Sequence, residues 1–471
     1  MNREIVLNIL GKILIGFSAL FLFPILVAVY YRENYYPFIY SAIVSFLLGL
    51  ALSSIKPKNE LLRFKEGFAI VSLGWLLTSI IGSIPYVSIG FHFIDSFFES
   101  MSGFTTTGAS IVNQPEILPK SILFWRSMTQ WIGGIGIVML FLLIFPTIAK
   151  GVVFQAEYPG ITLSKIKPRI RDTALIIYTI YLFFTAAEII ILYILGVPLF
   201  DSITHAFTTI STGGFSTHSE SIAYFRNPTI EFIIAFFALI GGMNFSIHYY
   251  IMSGKFSILK DTELRIYIVI VSVSILALTI LNLDRFNLIN SIRFSVFQAI
   301  SIMTTTGYTT YDFDEWNNRA KMILLILMFI GGCSGSTAGG IKVVRIYVLI
   351  RYALDQILKS AEPKMIRVIK YGNVALKKEV VDSVVAFFIL YLLVFVISVL
   401  IMSISGYDLL TSISAVAACL GNVGPGMGLA GASETYSHFP DLIKILLCFD
   451  MWIGRLEIYT VLSLFIPSFW K

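Results

Sequence analysis

The chain has 471 residues, of which 57% are hydrophobic and 13% charged, with a formal net charge of +6. Soluble domains carry about 45–50% apolar and about 25% charged residues, so this composition excludes a soluble enzyme, a disordered scaffold and a secreted disulfide framework. The apolar residues run in long blocks rather than alternating, which disfavours a β-barrel and leaves an all-α polytopic membrane protein.

About 20 apolar residues suffice to span a bilayer. Residues 1–60 hold two such blocks, 6–30 and 36–55, which predict an N-terminal transmembrane hairpin with no cleaved signal peptide. Four similar units follow. Residues 61–155 hold blocks 67–89 and 122–149, and residues 156–258 hold 173–197 and 229–253. Residues 259–360 hold 264–284 and 321–350, and residues 361–471 hold 380–404 and 441–467. Between the two blocks of each unit lies a semi-apolar stretch of roughly a dozen residues. The stretches are 95–104, 201–210, 291–303 and 411–420. Asp95 with Ser96, Asp201 with Ser202, and Thr411 with Ser412 are expected N-caps. A dozen helical residues reach about 18 Å, half a bilayer. Each stretch runs into a Gly/Thr-rich turn: TTTGAS at 105–110, STGGFS at 211–216, TTTGYT at 304–309 and GNVGPG at 421–426. Fourfold repetition sets the architecture: helix, short helix, turn, helix, four times around one central pore.

The scarce basic residues alternate between loops. Lys56, Lys58, Arg63 and Lys65 precede the first unit. Lys150, Lys165, Lys167, Arg169 and Arg171 follow it. Lys255, Lys260 and Arg265 separate the second from the third, and Lys342, Arg345, Arg351, Lys359, Lys364, Arg367, Lys370, Lys377 and Lys378 stand after the eighth block. The positive-inside rule makes these loops, and both termini, cytoplasmic.

One TTG turn carries no information; four at matched positions do. Glycine lets successive carbonyls point one way, and rings of backbone carbonyls can replace the hydration shell of K⁺. The short helices would aim their partly negative C-terminal ends at the pore centre, favouring a cation. No Asp or Glu stands in the turns, which argues against a carboxylate filter for divalent ions. No HExxH, GxSxG or G-x-G-x-x-G after a strand occurs, so no enzyme chemistry is expected. Cys333, Cys419 and Cys448 form no pairing pattern and read as small buried residues. His205 and His218 read as structural. Glu99 and Gln298 occupy equivalent places ahead of their turns and are expected to bond the backbone behind them. Arg126 is expected at the membrane interface. Asp312, Asp314 and Glu315 form either a cation-concentrating mouth or a solvated cluster.

The four turns, the segment GGCSGSTAGGIK at 331–342 and the run Gly454, Arg455, Leu456, Glu457 resemble the Trk/Ktr/HKT superfamily of potassium transport proteins over residues 67–471. The N-terminal hairpin resembles its TrkH/TrkG-type membrane subunits. The resemblance implies potassium uptake across the bacterial inner membrane, with a carrier-type H⁺- or Na⁺-coupled symporter as the alternative. It puts one filter glycine in each unit, Gly108, Gly213, Gly307 and Gly424. The carbonyls of Thr106, Thr107, Ser211, Thr212, Thr305, Thr306, Asn422 and Val423 would then face K⁺. It makes Gly331, Gly332, Ser334, Gly335, Ser336, Thr337, Gly339 and Gly340 an intramembrane gating loop, where the residues alone also allow a close-packed helix crossing. Arg455 would stand in the pore as an electrostatic barrier, or else pair with Asp450 or Glu457. The resemblance further implies a homodimer with one pore per subunit, and a cytoplasmic ring of Rossmann-type, TrkA-like nucleotide-binding subunits docking near 342–378. No cofactor bound by this chain is expected, and no nucleic acid.

Overall fold

The computed structural model describes residues 1–57, 62–136, 170–362, 368–372, 374–456 and 458–471. Glu457 and the basic residues Lys58, Lys150, Lys165, Lys167, Arg169, Lys364 and Arg367 lie outside them. Among the described residues, six helices are long and apolar enough to cross a membrane: α1 (Arg3–Tyr31), α2 (Tyr36–Ser53), α3 (Phe64–Ser88), Asp172–Ile194, Thr262–Asn282 and Lys378–Ile404. Apart from a two-residue hairpin, β1 (Lys370–Tyr371) against β2 (Val374–Ala375), the regular structure is helical, and the chain is an all-α polytopic membrane protein.

The remaining helices complete the four units. The first adds α4 (Phe93–Phe104) and α5 (Lys120–Ile135). The second holds α6 (Ile170–Ile194), α7 (Leu199–Ile210), α8 (Pro228–Gly241) and α9 (Phe245–Met252). The third holds α10 (Thr262–Asn282), α11 (Leu288–Met303), α12 (Asn318–Ile330) and α13 (Val343–Ala361). The fourth holds α14 (Lys378–Ile404), α15 (Leu409–Leu420), α16 (Asp441–Leu456) and α17 (Ile458–Leu462).

The short helices α4, α7, α11 and α15 end at the residues expected, but they begin two to three residues earlier. Asn287 caps α11 and Asp408 caps α15 through their side chains, while α4 and α7 start after His92 and Pro198 without a side-chain cap. The expected caps therefore lie inside the first turn. Asp95 and Asp201 still complement the helix dipole there.

The second helix is interrupted in the first three units. Helix α5 ends before Gly136, whose φ is 90°. Helices α8 and α9 meet at 99°. Helix α12 ends at Gly331. The sequence predicts continuous helices over 122–149 and 229–253 and a break only within 321–350; in 441–467 the junction at Glu457 lies outside the described residues. Of the first, residues 137–149 lie outside the described set. Two glycines inside these helices admit a neighbouring backbone: a Cβ at Gly133 or Gly454 would fall within 3.0 Å of the Phe104 or Leu420 carbonyl. Those carbonyls end short helices, so α5 and α16 each pass a turn of their own unit at close range.

Packing closes the units into a ring. Each short helix lies between the long helices of its own unit and also against the second helix of the preceding one. The cross-unit contacts are α5 on α7, α8 on α11, α12 on α15, and α16 on α4. The N-terminal hairpin leans on the first unit. Phe21 stacks on Trp125 of α5 at 4.6 Å. Glu33 accepts hydrogen bonds from the backbone N–H groups of Lys120 (2.7 Å) and Ser121 (2.8 Å), capping α5. At the chain ends the Met1 ammonium donates to the Lys471 carbonyl at 2.9 Å.

Candidate functional site: four turns over an intramembrane loop

Each short helix hands over to its turn in the same way. The C-cap residues are Thr105, Ser211, Thr304 and Gly421. The next residue is left-handed in every unit: Thr106 (φ 54°), Thr212 (53°), Thr305 (58°) and Asn422 (54°). Non-glycine residues seldom adopt that region, and it recurs at functional sites. The third residue donates its N–H back into the helix: Thr107 to Ser102, Gly213 to Thr208, Thr306 to Ser301 and Val423 to Ala418, at 2.7–2.9 Å. The fourth is a glycine at positive φ: Gly108 (83°), Gly214 (77°), Gly307 (77°) and Gly424 (105°).

This register corrects the second unit. Gly214, not Gly213, matches Gly108, Gly307 and Gly424. Gly213 matches Thr107, Thr306 and Val423, and Ser211 is a helix cap one position too early. In sequence the two adjacent glycines are interchangeable; contacts from the neighbouring units separate them.

A Cβ built on Gly108 would fall within 3.0 Å of the Gly213 carbonyl oxygen. One on Gly214 would meet the Thr306 oxygen, one on Gly307 the Val423 oxygen, and one on Gly424 the Thr107 oxygen. The contacts run from unit one to two, to three, to four and back to one. Only glycine allows this approach. Four carbonyls are thereby gathered into one closed ring, and Gly108, Gly214, Gly307 and Gly424 together line a cavity on one side of it.

Buried polar groups brace the ring. Glu99 and Gln298 bond backbone, as expected: Glu99 accepts from Ile111 N–H at 2.9 Å, and Gln298 donates to the Tyr308 carbonyl at 3.4 Å. Arg126, expected at the membrane interface, lies inside the protein. It is buried, pairs with Glu99 at 2.7 Å, donates to the Ser216 carbonyl and lies 4.1 Å over the Phe215 ring. The turns of units one and two cover it from solvent. Tyr308 reaches the Thr208 hydroxyl behind the second turn. Gln130 of α5, which sequence reasoning missed, donates to the Gly213 carbonyl at 2.7 Å and accepts from Phe215 N–H at 3.0 Å. A side-chain amide within an apolar block is its available signal.

On the other side of the ring, residues 331–342 form a non-helical loop rather than a helix crossing. Gly331 and Gly340, both left-handed, pinch its neck. Gly339 N–H donates to the Thr305 hydroxyl (2.7 Å), and Gly340 N–H to the Gly421 carbonyl (2.9 Å). The Thr337 hydroxyl donates to the Ile210 carbonyl at 3.0 Å and lies 3.2 Å from that of Thr212. Gly335 accepts from Phe245 N–H at 3.1 Å, and the Ser336 hydroxyl donates to the Cys333 carbonyl. Ser334 N–H donates to Glu263 of α10 at 2.7 Å, and Gly332 accepts from Val343 N–H. The loop thus touches the turns of units two, three and four. Arg455 reaches across from α16: it donates to the Thr337 carbonyl at 2.6 Å and to the Gly133 and Gly134 carbonyls at 2.7 and 3.0 Å. Asp450 accepts from Ser398. Gly134, Gly335, Gly339 and Arg455 line one cavity below the ring.

The other candidates fall outside this axis. His205 bonds the Asp201 carbonyl, and His218 stacks on Tyr224 at 3.5 Å. Among the described residues no group of three His, Cys, Asp or Glu could hold a metal ion. The cysteines are buried and free. Asp314 accepts from Gly428 N–H and pairs with Lys321, and Glu315 pairs with Arg285. Burial raises the Asp314 carboxyl above its ordinary range, so this patch is not a bare acidic mouth.

Three comparisons bear on this arrangement. The profile of the TrkH family, described as cation transport protein, matches residues 36–471. The Trk system potassium uptake protein TrkH of Salmonella typhimurium is 37% identical over 489 residues, covering all of both chains. TrkG of Escherichia coli is 34% identical over 99% of each. The crystal structure of the potassium transporter TrkH from Vibrio parahaemolyticus superposes with a TM-score of 0.90 at 36% identity, covering both chains fully.

Proposed function

The chain belongs to the TrkH family of cation transport proteins, and from that premise we propose that it takes up K⁺ across the bacterial inner membrane through the ring of carbonyls. The observation that carries this reading is the closed cycle in which each filter glycine abuts the carbonyl of the next unit. A ring braced on all sides holds its oxygens at a set separation, so they can replace water around one size of ion at little cost in rearrangement. The short-helix C-termini add negative partial charge from four directions.

In this reading the chain is a hairpin at 1–60 followed by units at 61–155, 156–258, 259–360 and 361–471. The K⁺-facing carbonyls are those of Thr106, Thr107, Thr212, Gly213, Thr305, Thr306, Asn422 and Val423. The loop at 331–340 obstructs the path below them. Arg455 holds it there and opposes the cation by charge. Opening requires the hydrogen bonds of Thr337, Gly339 and Gly340 to the turns to break. A nucleotide-binding cytoplasmic ring pulling on 342–378 would supply that work, and a homodimer would present two separate pores to it. Both termini are then cytoplasmic.

The test replaces Gly108, Gly214, Gly307 and Gly424 by Ser in turn. Each Cβ would have to displace a ring carbonyl, so K⁺-limited growth and preference for K⁺ over Na⁺ should both fall. Unaltered selectivity in all four variants would contradict the filter. Single-channel recording separates pore from carrier: unitary K⁺ currents support the pore, and turnover at carrier rates supports coupled symport.

A further inference from the structure

We propose that Gln130 is a positioning residue that sets the second filter strand, standing in for the side chain that Gly213 lacks. The inference rests on the reading of the ring as a K⁺ filter.

The third residue of each turn carries a ring oxygen, and in three units its side chain is buried behind that oxygen. The Thr107 hydroxyl lies 2.7 Å from that of Thr105, and the Thr306 hydroxyl 2.7 Å from that of Thr304. Val423 is buried in the apolar core. In the second unit this position is Gly213, and the space belongs to another helix. A Cβ on Gly213 would fall within 3.0 Å of Cδ, Oε1 and Nε2 of Gln130. The Gln130 amide is fully buried. It grips the strand on both sides of Gly214, through the Gly213 carbonyl and the Phe215 N–H.

The exchange is reciprocal around the ring. Each turn faces the second helix of the preceding unit. Gln130 stands three residues before Gly133. The residues three before Gly241, Gly331 and Gly454 are Ala238, Met328 and Met451. These helices pack against the short helices that lead to Thr306, Val423 and Thr107. Where the helix supplies an amide, the turn is glycine; where it supplies an apolar residue, the turn brings its own side chain. Gln130 also donates to one of the ring oxygens itself, so it fixes that oxygen's direction. Loss of this bond leaves the carbonyl free to rotate and the Phe215 N–H buried without an acceptor.

The experiment uses the full chain in proteoliposomes and reads the K⁺/Na⁺ permeability ratio, with membrane yield and thermal stability in parallel. Gln130→Ala should lower the ratio about tenfold, the scale of one buried hydrogen bond. Gly213→Thr alone should lower it similarly, because the new side chain collides with Gln130. The double variant Gln130→Ala/Gly213→Thr reproduces the residue pair of the third turn, Ala238 with Thr306, and should return the ratio to within about threefold of the parent. A merely structural role for Gln130 would move stability and leave the ratio alone. If Gln130→Ala does not accumulate folded, Gln130→Met, which fills the space without an amide, is read in its place with the same expectation. An unchanged ratio in the single variants, or a double variant no better than the worse single, overturns the inference. Gly108→Ser is the control. If it shifts the ratio and Gln130 does not, only this inference fails; if Gly108→Ser leaves the ratio unchanged, the filter reading fails and takes this one with it.

Discussion

Arg455 offers the sharpest test of the lower half of the pathway. Its guanidinium makes three hydrogen bonds to backbone carbonyls, one on the loop at Thr337 and two on α5 at Gly133 and Gly134. Hydrogen bonds from a charged donor contribute about 1.5–3 kcal/mol each. The bond to Thr337 is the one among these that ties the loop to its present position. Losing it at the lower figure, about 1.5 kcal/mol, shifts the balance between seated and displaced loop by about tenfold. Arg455→Ala also removes a positive charge from the path of a cation, which acts in the same direction. Arg455→Lys keeps the charge but not the planar fork that spans from α5 to the loop. Basal K⁺ flux into proteoliposomes should therefore rise about tenfold in Arg455→Ala and less in Arg455→Lys. Flux at or below the parent level from folded Arg455→Ala protein would refute the reasoning.

Three further outcomes follow from the geometry. Gly214→Ala forces a left-handed residue, at about 1–2 kcal/mol, and drives Cβ into backbone, whereas Gly213→Ala meets the end of a side chain; growth on limiting K⁺ should separate them, with Gly214→Ala the worse. Glu99→Ala strands the buried Arg126 guanidinium and should destabilise the protein by about 3–5 kcal/mol, read as a drop in thermal midpoint in detergent, with Glu99→Gln milder. Glu33→Ala uncaps α5 at a cost of about 1 kcal/mol, and hydrogen exchange at Ser121 should quicken while the ring itself is unaffected.

The C-terminal ends of the short helices were legible because their signal is local: Gly and Thr crowd the residues that follow Phe104, Ile210, Met303 and Leu420. Their N-terminal ends were less so, since Asp and Ser serve equally well at the cap and in the first turn. The break in α5 is not legible, because Gly133 in an apolar block also suits a close helix crossing. What Gly133 admits is the Phe104 carbonyl, contributed from elsewhere in the fold. Arg126 was misread for the same reason: its partner Glu99 is 27 residues away, and nothing in its own neighbourhood announces burial. The one-residue slip at Gly213 and Gly214 had no local remedy, since the two are distinguished by Thr306 and Gln130, each from a different unit.

The glycine-to-carbonyl contacts behave mechanically as a linkage with no free end. In an open series a misplaced member can hand its error along until the last one absorbs it. Here the fourth contact returns to the first, so any displacement must be shared among all four gaps. A substitution in one turn should thus disturb the aperture as a whole, and its effect on ion preference need not betray which unit was altered. The same closure lets four unlike turns, one with Asn422 and one with two glycines, act as a single aperture, because each is gauged against its neighbour rather than against a common template.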